Sequence, residues 1–175
     1  MVPAAQQVGD FYGGGVVFYI FVAGDAGYVA GETHGLIAAV QDQNSGIQWN
    51  NGSLITTGAT ATGVGRGSAN TDAIISVQGA TETSYAAGLA RAYNGGGYTD
   101  WYLPSKNELN QMFLNKATIN TIAAANGGSS FSTTINYWSS TENGWNNAWY
   151  QYFADGGQSD RRKHNTYGVR AVRAF

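Results

Sequence analysis

The chain of 175 residues carries 11% charged and 13% aromatic residues and a net charge of −2, which excludes a disordered polyelectrolyte and gives no basis for a nucleic-acid-binding face. It has no cysteine, which excludes a disulfide framework, a thiolate metal site and a thiol nucleophile. One domain is expected, hiding roughly two-thirds of its unfolded surface, and 25 glycines make it rich in loops.

In chain order, Val16 to Val22 is the longest apolar run and reads as a buried strand. It is too short to cross a bilayer, and no basic segment with an apolar core precedes it as in a signal peptide, so no transmembrane segment is expected and the compartment stays open. A second strand, Gly35 to Val40, completes an early hairpin. From Gln41 to Gly67 the chain is polar and turn-rich, with Asn51-Gly52 as a turn signal and Trp49 expected beneath it. So long an irregular stretch points away from a simple sandwich.

A helix is expected from about Asn70-Thr71-Asp72, with Ile74, Ile75 and Val77 on its apolar side. A second runs from about Thr81 to Tyr93, places Tyr85, Leu89 and Tyr93 on one face, and stops at Asn94-Gly95-Gly96-Gly97. The third follows Pro104, where Ser105 and Glu108 form an S-x-x-E capping box ahead of Leu109, Met112 and Phe113. A short fourth helix covers Thr118 to Ala125 and ends at Asn126-Gly127-Gly128.

The remainder reads as β. Alternation from Ala148 to Asp155 puts Trp149, Gln151 and Phe153 on one face, expected inward, and Tyr150, Tyr152 and Ala154 on the other, expected outward. Asp155-Gly156-Gly157 makes a turn, and Val169 to Phe175 is a closing strand. The fold class is α+β, with two or more helices packed on a small antiparallel sheet.

Four blocks stand in order: Thr99-Asp100-Trp101-Tyr102-Leu103-Pro104-Ser105-Lys106-Asn107-Glu108-Leu109, Tyr137-Trp138-Ser139-Ser140-Thr141-Glu142, Ala148-Trp149-Tyr150 and Val169-Arg170-Ala171-Val172-Arg173. Together they resemble the C-type-lectin-fold domains of the formylglycine-generating-enzyme branch, and within it the variable proteins of diversity-generating retroelements in bacteria and phages. The resemblance implies a single lectin-like ligand-binding domain over residues 1–175. Its segment 138–175 would be rewritten by adenine-directed mutagenesis, and display on a cell or phage surface would follow. In that scheme Asn codons reach many residue types but never Trp, Gln, Lys, Glu or Met. Asn143, Gly144, Asn146, Asn147, Tyr150, Tyr152, Ala154, Asp155, Ser159, Asp160, Arg161, Arg162, His164, Asn165, Thr166 and Gly168 are reachable and form the candidate ligand-binding set. Trp145, Trp149, Gln151, Gln158 and Lys163, interleaved with them, are not, and would be fixed scaffold.

Enzymatic readings find little support. The formylglycine-generating enzymes oxidise with cysteines, and this chain has none. His34 and His164 stand in no metal or nucleophile motif, the capping box accounts for Glu108, and Glu142 has no partner carboxylate in sight. Gly63-Val64-Gly65-Arg66-Gly67 lacks the Lys-Ser/Thr of a phosphate loop. Trp145-Asn146-Asn147 is similar to the Trp-Asn-Asp of calcium lectins but lacks its last carboxylate, so no metal or cofactor is expected. Arg161-Arg162-Lys163-His164 is a local basic cluster suited to an acidic patch, while Arg170 and Arg173 are expected to brace the frame through ion pairs. Tyr with Asn, Ser and Gly is the chemistry of an antibody paratope. The expected function is therefore non-enzymatic recognition of a protein or cell-surface ligand, with no nucleic acid. The alternative is a fixed carbohydrate-binding or adhesion domain of the same fold.

Overall fold

In the computed structural model, which describes residues 5–79 and 82–175, the apolar run pairs as the sequence predicts. Strand β1 (Phe11–Tyr12) turns into β2 (Gly15–Ile20), which pairs antiparallel with β3 (Gly35–Ala39). After β4 (Asn44–Gln48) come helices α1 (Gly67–Gln78), α2 (Ala86–Ala92), α3 (Lys106–Leu114) and α4 (Lys116–Ala125). The chain then closes with β5 (Asn136–Asn143), β6 (Asn147–Tyr152), β7 (Gln158–Arg162), β8 (Thr166–Val169) and β9 (Val172–Ala174). Two sheets result, one in the order β1-β2-β3-β9 and one in the order β4-β8-β5-β6-β7. All pairings are antiparallel except that of β5 with β8, where Tyr137 faces Gly168. The fold class is α+β, as expected.

The unbroken apolar character of β2 and β3 has a simple cause: both faces of the first sheet are covered. Val17, Ile37 and Ala39 point into a core with Trp49, Ile74, Tyr85, Trp101 and Trp138. Val16, Phe18, Leu36 and Ala38 point into a second core with Leu109, Met112, Ile119, Tyr137 and Phe153. Helices α1 and α2 supply the first core and α3 and α4 the second.

Several elements depart from the sequence expectation, each for a physical reason. Helix α1 begins at Gly67, because Asn70 and Thr71 act as internal latches rather than as a start signal. Asn70 Nδ2 donates to Ala61 O at 2.7 Å, and Thr71 Oγ1 accepts from Leu103 N at 3.1 Å. Ile74 is buried as expected, whereas Val77 is exposed. Helix α2 is shorter than predicted; a 3-10 turn, Glu82–Ser84, precedes it, and Thr81 lies outside the described residues. The closing strand is two strands. Arg170 and Ala171 carry the chain from β8 in the second sheet to β9 in the first. Buried Arg170 makes that crossing rigid: its Nε donates to Asp42 at 2.7 Å and its Nη1 to Ser129 O at 3.0 Å. Arg173 pairs with Asp100 at 2.7 Å, so both arginines brace the frame. Strands β4 and β7 were not expected, since their sequences, NSGIQ and QSDRR, carry almost no apolar signal.

The capping box of α3 forms in full and does more than cap. Ser105 Oγ accepts from Glu108 N at 3.2 Å, and Glu108 Oε2 accepts from Ser105 N at 2.7 Å. The other carboxylate oxygen accepts from Gly65 N at 2.8 Å, tying the glycine-rich loop to the helix start. No cation pairs with this buried carboxyl among the described residues, so burial raises it from 4.5 to about 7 against the pull of its hydrogen bonds. A raised acid favours the folded state most while it is protonated in the fold. Its contribution is therefore complete below about pH 4.5 and lost as pH rises through about 7, a span worth about 3 kcal/mol. Urea midpoints measured from pH 5 to pH 8 are expected to fall in the wild type. In Glu108→Gln, which cannot titrate, that share of the slope should vanish.

Candidate ligand-binding surface

The candidate surface is built on the antiparallel ladder of β5, β6 and β7. Trp138 lies opposite Tyr150 and Asn136 opposite Tyr152, while Tyr150 in turn faces Ser159, and Ala148 faces Arg161. Alternation then splits the ladder into two faces.

One face is tied to the helices. Gln151 is fully buried; its Nε2 donates to Asn110 Oδ1 at 2.8 Å and Gly156 O at 3.0 Å. Gln158 Nε2 donates to Lys106 O at 2.8 Å. The ammonium of Lys106 sits 3.5 Å from the centre of the Trp149 ring, and Phe153 is buried between Phe113, Phe131 and Tyr137.

The other face carries tyrosines, and here the expectation of a bare outward surface needs correction. Ala148, on this side of β6, is fully buried, and Tyr150 and Tyr152 are only partly exposed. The reason is β8, which brings Tyr167 to within 4.4 Å of Trp138 and 4.9 Å of Tyr150, ring centre to ring centre. Burial raises the Tyr167 phenol above its ordinary value. The result is a stripe of aromatic rings whose inner end is core and whose outer edges reach solvent. Tyr167 was absent from the candidate set, although it is a residue type the substitution scheme reaches, like Tyr150 and Tyr152.

At one end of this face the hairpin loops are held by a buried ion pair. Lys163 and Glu142 meet at 2.5 Å with neither side chain exposed. The remaining ammonium donors go to Ile55 O at 2.9 Å and Trp145 O at 3.0 Å. The carboxylate also accepts from Thr57 N at 2.8 Å and Gly58 N at 3.0 Å, and the Trp49 ring lies 4.7 Å from the ammonium. Desolvation lowers the Lys163 pKa, with Glu142 opposing the shift. Glu142 has no partner carboxylate in the sequence pattern; its partner is the lysine of the basic cluster.

The candidate residues therefore divide. Asn143, Gly144, His164, Asn165 and Thr166 are exposed at the loop end, with Asn146 partly buried among them. Tyr150, Tyr152, Ser159 and exposed Arg161 lie on the tyrosine face. Asn147, Asp160 and exposed Arg162 lie on the opposite side of the ladder, where Asn147 Nδ2 donates to Asp160 Oδ2 at 2.7 Å. Ala154 and Asp155 are exposed in the turn after β6, away from the loop end, with Asp155 accepting from Gly157 N. Gly168 is buried, and a Cβ there would sit 2.8 Å from Ile135 Cδ1, so it belongs to the frame rather than the surface. Of the expected scaffold residues, Gln151 and Lys163 are buried and Trp149 and Gln158 partly so, whereas Trp145 is exposed.

Among the described residues no cluster of three His, Cys, Asp or Glu converges as a metal site requires, and no helix is long and apolar enough to cross a membrane. The shape of the chain is similar to that of a fimbrial protein from Bacteroides ovatus ATCC 8483, with a TM-score of 0.68 over 95% of this chain at 17% identity. This chain spans 48% of that one. Comparison with curated proteins matches none. Residues 38–173 match the Lcl C-terminal domain, and the chain accordingly belongs to that family, with a C-type-lectin-like fold.

Proposed function

We propose that this domain is a non-enzymatic recognition module whose C-terminal surface is diversified by retroelement-directed substitution. The observation that carries the reading is a division of labour along β6 and β7. Residues the scheme cannot produce, Gln151, Gln158 and Lys163, are committed to hydrogen bonds with the frame. Reachable neighbours, Tyr150, Ser159 and Arg161, alternate onto the other face of the ladder and take no part in those bonds, so they can change without disturbing them. A fold shared with a fimbrial protein favours a place on a cell or particle surface and a protein or cell-surface ligand.

Deep sequencing of the 3′ end of the gene across its natural population tests the diversification. Substitutions should gather at adenine-bearing codons between Asn143 and Thr166 and spare Gln151, Gln158 and Lys163. A uniform 3′ end would replace this reading with a fixed adhesion or carbohydrate-binding face. Joint replacement of Tyr150 and Tyr152 by Ala should abolish capture of the cognate ligand in a pull-down. Because Tyr150 also leans on Tyr167, the double variant is expected to lose about 1–2 kcal/mol of stability as well, yet to remain folded by circular dichroism.

A further inference from the structure

The Lys163 ammonium does something that pairing with Glu142 does not require. It holds the carbonyls of Ile55 and Trp145 at 2.9 and 3.0 Å, so one nitrogen pins two loops from distant parts of the chain within about 6 Å of each other. The backbone after Trp145 is held a second time, where Lys163 N donates to Asn146 O at 2.9 Å. Above these clamped backbones both side chains are open, Ile55 at 41% and Trp145 at 58% exposure. Every other tryptophan is buried or partly buried.

Single exposed apolar residues need no explanation. An indole and a branched aliphatic chain on loops fixed by one buried ammonium do need one, since ordering a loop in advance removes a cost of association. Trp is also the residue type most enriched where binding energy concentrates. The surroundings supply charge. Arg162 pairs in register with Asn147, two residues beyond Trp145, and Arg161 is its chain neighbour on the other side of the ladder. Among the described residues neither arginine has an ion-pair partner, whereas Arg91, Arg170 and Arg173 each have one.

We propose that Trp145 and Ile55 form a constant apolar anchor for a protein partner that offers an apolar pocket rimmed by carboxylates, with Arg161 and Arg162 meeting the rim. The proposal rests on the recognition reading above and deepens it. Trp145 is a residue the substitution scheme cannot produce, so the anchor persists while its neighbours change. The constant pair supplies affinity, and the changing residues decide which pocket is accepted. A sugar ring would stack on the indole but draw nothing from Ile55, and a neutral glycan would leave both guanidinium groups unanswered.

The test is a displayed library of the whole domain. Trp145, Ile55, Arg161 and Arg162 are kept; Asn143, Gly144, Asn146, Tyr150, Tyr152 and Ser159 are randomised; selection is on immobilised serum albumin, an acidic globular protein. Selected clones are expected to lose at least roughly thirtyfold in affinity on Trp145→Ala and about fivefold on Ile55→Ser, with unchanged melting temperatures because both side chains are exposed. Binding should also weaken as salt rises. Clones that keep their affinity within about twofold after Trp145→Ala would overturn the anchor while leaving the variable surface standing. A library that yields no binders would overturn both. Trp145-dependent capture by immobilised heparin in place of albumin would reassign the occupant to a sulfated glycan and overturn the protein assignment.

Discussion

Replacing Lys163 by Ala is expected to destabilise the domain by about 3–5 kcal/mol, the range for breaking a buried ion pair from one side. The carboxylate of Glu142 would stay behind with no exposure and no cation, holding only the amides of Thr57 and Gly58. The carbonyls of Ile55 and Trp145 would lose their shared donor, and the Trp49 ring would face the space left by the lysine stem. Urea denaturation at pH 7 measures the loss. Lys163→Met, which keeps the stem but not the charge, should recover only part of it. Adding Glu142→Gln to that variant should recover most, because the uncompensated anion is then gone. A loss below about 1 kcal/mol for Lys163→Ala would mean that water reaches the carboxylate, and the two loops would then be held by something other than this pair. Hydrogen exchange offers a second reading: amides near Ile55 and Trp145 should open in Lys163→Ala well before those of β2 and β3.

The position of Lys163 shows what the sequence could and could not reveal. Exclusion from the substitution scheme marked it as scaffold, but its membership of the run Arg161-Arg162-Lys163-His164 disguised it as surface charge. Its place in the turn after β7 separates it from its neighbours: Lys163 folds inward to Glu142 and is buried, while Arg161, Arg162 and His164 are exposed. Alternation is visible in a sequence only when one face is apolar, and QSDRR in β7 offers no such face. The same lack of contrast hid β4. By contrast, the apolar hairpin of β2 and β3 and the box at Ser105 and Glu108 carry their signals within a few neighbouring residues, and both were legible. The tyrosine face was legible by half. Period two correctly separated Tyr150 from Gln151, but burial of Tyr150 depends on Tyr167, seventeen residues later and two strands away. No local pattern encodes that contact. Nor does one encode the split of the last segment into β8 and β9, which follows from Arg170 reaching Asp42 across 128 residues of sequence.

Trp138 and Trp149 look alike in the sequence, both in β-rich stretches of the same segment, yet their replacement by Ala should differ sharply. Trp138 is fully buried and its Nε1 donates to Ile47 O at 2.9 Å. Removing it opens a cavity in the first core and orphans that carbonyl, for an expected loss of about 3–5 kcal/mol. Trp149 is half-covered, and its main partner is the Lys106 ammonium above the ring. Its removal should cost about 1–2 kcal/mol, the worth of a partly desolvated cation–π contact with some lost burial. Trp138→Phe separates the parts, since it keeps an aromatic ring and loses the indole donor. About 1 kcal/mol of its cost should trace to the missing hydrogen bond. The two tryptophans should also differ in what they do to recognition. The Trp138 ring is the surface against which Tyr167 packs, and Tyr167 in turn supports Tyr150. Loss of Trp138 should therefore loosen the tyrosine face from beneath and weaken ligand capture even in molecules that remain folded. Loss of Trp149, on the α3 side of β6, should leave the tyrosine face intact and capture unchanged. Equal effects on capture from the two variants would mean that the faces of β6 are not independent, and a surface that changes on one side while the other stays fixed could not be built on this strand.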